Sequence, residues 1–210
     1  MKDGRVKGNK YENRICRFLS QWVVPGDWSE CPVYQLPFRR RFTDNTPLDG
    51  HWEGEGDILH RPGIEFPFCV ECKDQEGWDL DGLLHNEKWP VWAWWEQACT
   101  QAQQVGLRPI LFFTRAYRPD YVMMQKEVAE CLELQSKHGP VVECRSKSGG
   151  TIKVTAARNV FAVPRSLLPC LSSLSADAGR SHKTVSSPFS RKNSTFLARL
   201  RMSAGRSYSA

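Results

Sequence analysis

Charged side chains interrupt two apolar runs of the chain. Asp57 opens one run, and Glu71 and Lys73 lie within the other. Because side chains alternate along a strand, Glu71 and Lys73 point to one face, and Val70 and Cys72 point to the other. Two charges on a face that a helix covers are costly unless they bind something, and a divalent metal with a phosphate would satisfy them. The pattern predicts Asp57 and Glu71 as hard oxygen ligands, and Lys73 as the group that polarises a water beside the metal.

Four sequence features in order carry a family resemblance: Glu12, Asp57, Glu71-x-Lys73 and a glutamine-bearing helix. Together they resemble the PD-(D/E)XK nuclease superfamily, with Gly56 where its proline often stands. The run from Lys7 to Glu12 resembles the first-helix motif of Holliday-junction resolvases of the archaeal and phage type. The resemblance covers residues 5 to 115. It implies an α/β fold with a restriction-endonuclease-like core, in which helices flank a mixed central β-sheet.

The resemblance also implies an activity and roles for the site residues. The expected enzyme is a Mg²⁺-dependent endodeoxyribonuclease, with Mn²⁺ as a substitute, that hydrolyses a phosphodiester. Asp57 and Glu71 would hold the metal with the Cys72 backbone carbonyl, Glu12 would act through water or on a second ion, and Lys73 would position the attacking water. Resolvases of this type are dimers because two symmetric strands are cut. A homodimer that acts on branched DNA is therefore expected.

The first predicted helix spans residues 5 to 23. An apolar stripe at helical spacing consists of Ile15, Phe18, Leu19 and Trp22. Gly8 lies on this stripe, where a missing side chain would let the helix approach the sheet. Glu12 lies at the edge of the stripe. It is either an exposed charge near the helix N-terminus or a carboxylate that faces Asp57 and Glu71.

A second helix is predicted from Pro90, which suits a first turn, to a C-terminal cap at Gly106. Gln97 and Gln101 lie one turn apart beside its apolar stripe, which consists of Val91, Trp94, Trp95, Ala98, Ala102 and Val105. An amide there can orient a water or hold a phosphate oxygen, or it is an ordinary boundary residue. The tryptophans from residue 78 to 95 stack on unpaired bases, pack the helix on the sheet, or form a dimer face.

Other elements follow from alternation and turn signals. Strands are predicted over residues 32–38, 56–60, 67–74 and 109–114, and the last of these reads as a buried strand. A helix is expected over residues 126–137, and three further strands over 141–143, 152–155 and 160–163. Pro32 and Pro37 weaken the first strand or place it at an edge.

Basic side chains give six candidate DNA contacts. These are Lys7, Arg39, Arg40, Arg41, Arg115 and Arg118. Guanidiniums at a strand end suit phosphate oxygens. Alternatively, residues 39–41 form a solvated basic loop that pairs with the acidic segment from 44 to 55.

The positive charge is concentrated at the C-terminus. Residues 1–170 hold 22 basic and 22 acidic residues, whereas residues 171–210 hold seven basic residues and one acid, so the net charge of +6 lies in the tail. We expect a nuclease domain over 1–170 and a serine-rich, disordered tail over 171–210. The tail either attracts an anionic partner such as nucleic acid or is merely solvated.

Composition narrows the class of protein. No apolar run approaches the roughly 20 residues of a membrane span, and no apolar signal core follows the first residues. We therefore expect a soluble, cytoplasmic protein, in the host cell if the source is a phage.

Eight cysteines suggest zinc or redox chemistry, but Cys69 and Cys72 would face opposite sides of a strand, which favours free thiols. A DNA-binding module without catalysis remains the other alternative.

Overall fold

The computed structural model describes residues 4–42, 51–85, 88–132, 141–146 and 150–161. The predicted tail from residue 171 lies outside these ranges. The helices are α1 (Gly4–Val23), α2 (Leu80–His85), α3 (Pro90–Val105), α4 (Lys126–Cys131) and α5 (Ala157–Phe161), with a 3₁₀ turn over Val33–Gln35. The strands are β1 (Phe38–Arg40), β2 (Ile58–His60), β3 (Phe68–Asp74), β4 (Arg108–Thr114), β5 (Tyr121–Gln125), β6 (Val141–Arg145) and β7 (Thr151–Ala156).

The strands form two sheets. A five-stranded sheet has the order β3-β4-β5-β7-β6, and β1 pairs with β2 in a two-stranded sheet. Only the β3–β4 pair is parallel among the described strands. A parallel pair needs a crossover connection, and α3 lies within it. The result is the mixed sheet flanked by helices that the resemblance implies.

The two faces of the five-stranded sheet are covered by different helices. Val70 and Cys72 of β3 belong to the same core cluster as the buried residues of α1. Leu111 and Phe113 of β4 pack with the tryptophans of α3 on the other face. In the β3–β4 register, Glu71 lies beside Leu111 and Lys73 beside Phe113. The two charged side chains of β3 therefore lie on the α3 face, as alternation predicts.

Helix α1 is amphipathic as predicted. Ile15 and Leu19 are fully buried, Trp22 is nearly so, and Phe18 packs against the same core. The expectation for Gly8 is wrong, because a Cβ there would meet only Glu12 Oε1, at 3.9 Å. The smallness of Gly8 is therefore not required for contact between this helix and the sheet.

Helix α3 begins and ends as predicted. Pro90 occupies the first turn, and Gly106 is a left-handed C-cap with φ of 69°. Its tryptophans at 92, 94 and 95 are buried, as is Trp78 before α2. They therefore pack the helix on the sheet, which was one of the three readings. Val105, placed on the buried stripe, is instead 43% exposed because the helix ends there.

Two predicted strands are wrong or displaced. Residues 33–35 form a 3₁₀ turn, in which the Gln35 N–H donates to Pro32 O at 2.9 Å. Proline has no N–H to donate, so ladder pairing begins only after Pro37, at Phe38. Val160 lies in α5 instead of a strand, and residues 162–163 lie outside the described ranges.

The remaining predicted elements lie close to their expected positions. Predicted strands 56–60 and 67–74 correspond to β2 and β3, and 109–114 corresponds to β4. Strands β6 and β7 form an antiparallel pair. Helix α4 ends at Cys131 with Leu132 as its C-cap, and residues 133–137 of its predicted span lie outside the described ranges. None of the helices described here is long and apolar enough to cross a lipid bilayer.

Candidate active site

The predicted catalytic side chains meet at one edge of the five-stranded sheet. Strand β3 is the edge strand, and on its outer side Gly56 forms a bridge to Val70. At an edge, side chains can approach from both faces of the sheet. Helix α1 contacts β3 from one face, and α3 contacts it from the other. The two helices that carry Glu12 and Gln97 can therefore serve a single site.

Glu71 is the most buried charged side chain of the site, at 1% exposure. Its Oε1 accepts hydrogen bonds from Lys73 Nζ and from Gln97 Nε2, the latter at 2.7 Å. Burial and the charge of Asp57 raise the pKa of the Glu71 carboxyl, and Lys73 opposes that shift. The structure thus brings together three predicted residues, and Gln97 on α3 orients the glutamate.

Asp57 is held against β3 through its backbone and its side chain. Its N–H donates to Val70 O at 2.7 Å, and its Oδ2 accepts the Cys72 N–H at 2.8 Å. Burial raises the pKa of Asp57, whereas the Cys72 N–H and the charges of Lys73 and Arg41 lower it. Because the N–H and C=O of one strand residue point to the same side, the Cys72 carbonyl also faces the Asp57 side. The resemblance implies this carbonyl as a metal ligand beside Asp57.

Gly56 makes the close approach of Asp57 possible. Its φ is 88°, a conformation that L residues rarely adopt and that proline cannot reach. A Cβ on Gly56 would lie 2.3 Å from Val70 O. The glycine at the usual proline position therefore reflects a left-handed backbone packed directly on β3.

Arg41, predicted to contact DNA, binds the segment that carries Asp57. Its Nε donates to Gly56 O at 2.8 Å, and its Nη2 pairs with Glu55 Oε2 at 2.7 Å. Its backbone N–H also donates to Asp57 O at 2.7 Å. These contacts support a positioning role for Arg41, and its pair with Glu55 agrees with the alternative in which residues 39–41 pair with the acidic segment from 44 to 55.

Glu12 on α1 is half-buried, and it interacts electrostatically with the other charged side chains of the site. Burial and the negative charge of Asp57 raise its pKa to about 7, and Arg40 opposes this shift. The interpretation of Glu12 as a freely solvated charge near the helix N-terminus is therefore disfavoured. Without a bound cation, this carboxyl is therefore partly protonated at neutral pH.

The donor atoms of the site fit a hard divalent cation. Glu71 Oε2 is buried and has no hydrogen-bond partner in the described part of the chain. Across residues 4–42, 51–85, 88–132, 141–146 and 150–161, no group of three or more histidine, cysteine, aspartate or glutamate side chains is placed to hold an ion. Mg²⁺ does not need such a group, because one or two carboxylates with water and phosphate oxygens suffice. Asp57 and Glu71 supply two carboxylates.

The remaining predicted DNA contacts lie in different surroundings. Lys7 pairs with Asp74 at 2.9 Å and Glu76 at 3.0 Å, and these bonds raise its pKa. Arg39 and Arg40 lie over the ring of Phe42. Lys7 is thus neutralised by two acids at the C-terminal end of β3, Asp74 within the strand and Glu76 just after it, a pairing that was not predicted.

In the described part of the chain, three further predicted residues form no hydrogen bond or ion pair with Glu71. They are Gln101, Arg115 and Arg118. Gln101, one turn after Gln97, has a buried Oε1 without a partner in the described residues. Arg115 lies over the ring of Trp78, with 5.4 Å between Cζ and the ring centroid. Arg118 lines a shallow pocket beside it. The described cysteines are free thiols, as expected.

Comparison with known proteins gives one match. A family model described as "phage putative PDDEXK endonuclease" matches residues 3–153, more than half of the chain. No curated protein and no solved structure matches the chain. The matched segment contains every residue assigned above to the site.

Proposed function

The chain belongs to the phage PDDEXK endonuclease family, and from that premise we propose that it hydrolyses DNA phosphodiester bonds with the help of a divalent metal ion, Mg²⁺ or Mn²⁺ as its substitute. The observation that carries the proposal is the convergence of Asp57, Glu71, Lys73 and Gln97 at one sheet edge. The orphaned Glu71 Oε2 supports a bound cation at this edge. The family itself indicates nuclease activity.

Each residue has a role that follows from its surroundings. Asp57, Glu71 and the Cys72 carbonyl would hold the cation, which when bound neutralises phosphate charge and lowers the pKa of water. Lys73 holds the attacking water near the phosphate by a hydrogen bond and stabilises negative charge in the transition state. Gln97 fixes the orientation of Glu71. Glu12 would act at the same place through water or on a second ion.

We further propose that the substrate is branched DNA, that the active form is a homodimer, and that the protein acts in the host cytoplasm. The support is the resemblance of residues 7–12 to resolvases, together with the symmetric cuts that a four-way junction requires. The competing proposal is a DNA-binding module without catalysis. The hydrogen-bonded Glu71, Lys73 and Gln97 favour the enzyme, because every expected catalytic position holds a competent side chain.

A cleavage panel tests the proposal. The substrates are a four-way junction, a flap, a linear duplex and a single strand, each with Mg²⁺ or EDTA. We expect cleavage only with Mg²⁺. Asp57→Asn and Glu71→Gln should each abolish it while the thermal unfolding curve stays close to that of wild type, because a ligand charge is lost with little change in volume.

Matched control variants separate the site from general loss of charge. Asp81 is exposed on α2, and Glu65 is exposed in the loop before β3. Asp81→Asn and Glu65→Gln should cleave like wild type. Full Mg²⁺-dependent cleavage by Asp57→Asn would remove the site assignment. Binding of DNA without any cleavage by the wild type would favour the non-catalytic module.

A further inference from the structure

The loop between β4 and β5, residues 115–120, presents an aromatic side chain to solvent. Tyr117 is fully exposed. Its φ is 61°, and it is the only non-glycine residue with positive φ among the described residues. This conformation costs a non-glycine residue of the order of 1 kcal/mol. A turn tip of this shape normally carries glycine, and such backbone outliers cluster at ligand-binding sites, so this tyrosine is a candidate for contact with a ligand.

Two arginines flank this tyrosine and face a pocket. The pocket is shallow, with a volume of about 190 Å³. Its lining residues are Trp78, Asp79, Leu80, Arg115, Arg118 and Tyr121. Neither arginine forms an ion pair with another described residue, and two guanidiniums at one pocket are suited to phosphate oxygens. The acidic Asp79 is already engaged, because its Oδ1 accepts the Gly82 N–H at 2.6 Å.

The loop is anchored, so its tip is presented in a defined position. Glu76 Oε1 accepts the Ala116 N–H at 3.1 Å and also pairs with Lys7 Nζ. The Arg118 N–H donates to Arg115 O at 3.2 Å and closes the turn. A fixed aromatic tip loses little entropy when it contacts a ligand.

The loop lies next to the catalytic edge of the sheet. In the parallel β3–β4 pair, Lys73 lies beside Phe113, and Asp74 lies beside Thr114. Arg115 is therefore roughly 7 Å beyond the level of Lys73 along the strands. A DNA strand with its scissile phosphate at Lys73 would pass the loop within a few nucleotides.

We propose that Tyr117 stacks on an unpaired base next to the scissile phosphate, while Arg115 and Arg118 bind the adjoining phosphates. The inference rests on the proposed DNA cleavage and adds a preference for DNA with a single-stranded or frayed segment. Base–aromatic stacking tolerates any sequence, because every base has a π face. Tyr117 takes the stacking role that the buried tryptophans cannot take.

Equilibrium binding of the full chain in EDTA tests the inference. The two DNA probes are a blunt duplex and the same duplex with one unpaired 2-aminopurine. Wild type should bind the second probe more tightly and quench its fluorescence. Tyr117→Ala should weaken binding of that probe by about tenfold and leave duplex binding within about twofold of wild type. Tyr117→Phe should retain both affinities, whereas Arg118→Ala should weaken binding of both probes.

Two further variants keep the result decisive. Tyr117→Gly suits the positive φ, so it should match Tyr117→Ala if the ring matters and not the backbone. Tyr34→Ala removes another exposed tyrosine, in the 3₁₀ turn, and should bind like wild type. Equal affinities of Tyr117→Ala and wild type for both probes would overturn the inference but leave the cleavage proposal intact. Failure of wild type to bind or cleave any DNA would overturn both.

Discussion

At the residue scale, the two carboxylate oxygens of Glu71 have different surroundings. Oε1 accepts hydrogen bonds from Lys73 and Gln97, whereas Oε2 is buried without a described partner. A buried anionic oxygen without a partner is costly, of the order of 1–3 kcal/mol. The protein retains this cost at a site where a bound cation would remove it.

Gln97 should matter for catalysis more than for stability. Gln97→Ala removes the hydrogen bond that orients Glu71, so we expect kcat to fall about 10- to 100-fold. Gln104→Ala removes an exposed glutamine from the same helix and is the matched control. Steady-state cleavage kinetics and thermal unfolding of both variants check the prediction. If both variants cleave equally well, Gln97 is an ordinary boundary residue.

Glu12 should make stability depend on pH in the absence of metal. Its pKa is raised to about 7, so the folded protein binds a proton more tightly here than the unfolded chain does. The stability that this group contributes is present below its ordinary pKa and is lost as the pH rises through about 7. Glu12→Gln cannot ionise. It should raise the free energy of unfolding by about 1–2 kcal/mol near pH 8, allowing for solvent screening, and change little near pH 5.

Urea unfolding of the EDTA-treated proteins at both pH values measures this difference. Glu65→Gln is the control, since Glu65 is exposed. A wild-type and a Glu12→Gln protein of equal stability at both pH values would show that Glu12 is solvated after all. The charge of Asp57 would then not raise the pKa of Glu12.

At the element scale, the segment that carries Asp57 depends on one glycine and one arginine. Gly56 adopts a left-handed conformation against β3, and Arg41 binds its carbonyl. Neither contact is local, because Arg41 and Gly56 are 15 residues apart. The sequence could indicate that Gly56 precedes a metal ligand but not which side chain would hold it there.

Gly56→Ala should damage both stability and cleavage. The new Cβ would lie 2.3 Å from Val70 O, so Asp57 must move away from β3. Gly63 has a similar φ of 81°, but its Cβ would meet nothing within 4 Å. Gly63→Ala should therefore cost only the backbone strain, about 1 kcal/mol. Gly56→Ala should cost about 2–4 kcal/mol and cleave far more slowly.

Thermal unfolding and cleavage rates of these two variants separate backbone strain from steric displacement. Equal losses in both variants would mean that the left-handed backbone alone matters. In that case the contact between residue 56 and Val70 does not position Asp57.

Prediction from sequence succeeded where periodicity and alternation decide the structure. The buried stripe of α1 and the shared face of Glu71 and Lys73 both follow from chain geometry. Prediction failed at Pro32 and Val160, where a short apolar sequence was read as a strand. Pro32 instead precedes a 3₁₀ turn, and Val160 lies in a helix. Prediction also missed contacts between distant segments, such as Lys7 with Asp74. Lys7 was predicted to contact DNA because its partners cannot be recognised until the helix and β3 are packed together.

At the scale of the whole molecule, the net positive charge and the candidate catalytic residues lie in different parts of the chain. Residues 1–170 are neutral overall, and the net charge of +6 comes from residues 171–210. Within residues 1–170, Lys7 and Arg41 pair with acids of the chain itself. Non-specific attraction to the DNA backbone is therefore expected to come mainly from the C-terminal segment.

Removing residues 172–210 should weaken DNA binding without unfolding the protein. The salt dependence of binding should become shallower, since each phosphate contact contributes about 0.9 to the slope of log affinity against log salt. The melting temperature should stay close to that of the full chain, because the segment lacks apolar periodicity. A full-length variant with the seven basic residues of the tail changed to glutamine controls for length.

Two results would contradict this prediction. A large drop in melting temperature would mean that the segment packs on the domain. An unchanged slope of DNA affinity against salt would mean that the charge of the segment does not contribute to DNA binding. The DNA surface would then lie at residues 39–41 and Arg115.

The candidate metal ligands belong to different sheets. Asp57 adjoins the two-stranded sheet, whereas Glu71 lies in the five-stranded one, and hydrogen bonds at Val70 and Cys72 join them. Phe38 and Ile58 of the smaller sheet are buried in the same core as α1 and β3, so we expect only the junction between Asp57 and β3 to open locally, by loss of these few hydrogen bonds. Amide protons of Asp57 and Cys72 should exchange with solvent through this local opening, long before those at Phe112 in the centre of β4. A preparation can thus keep its full circular dichroism and still contain molecules in which the two carboxylates are apart.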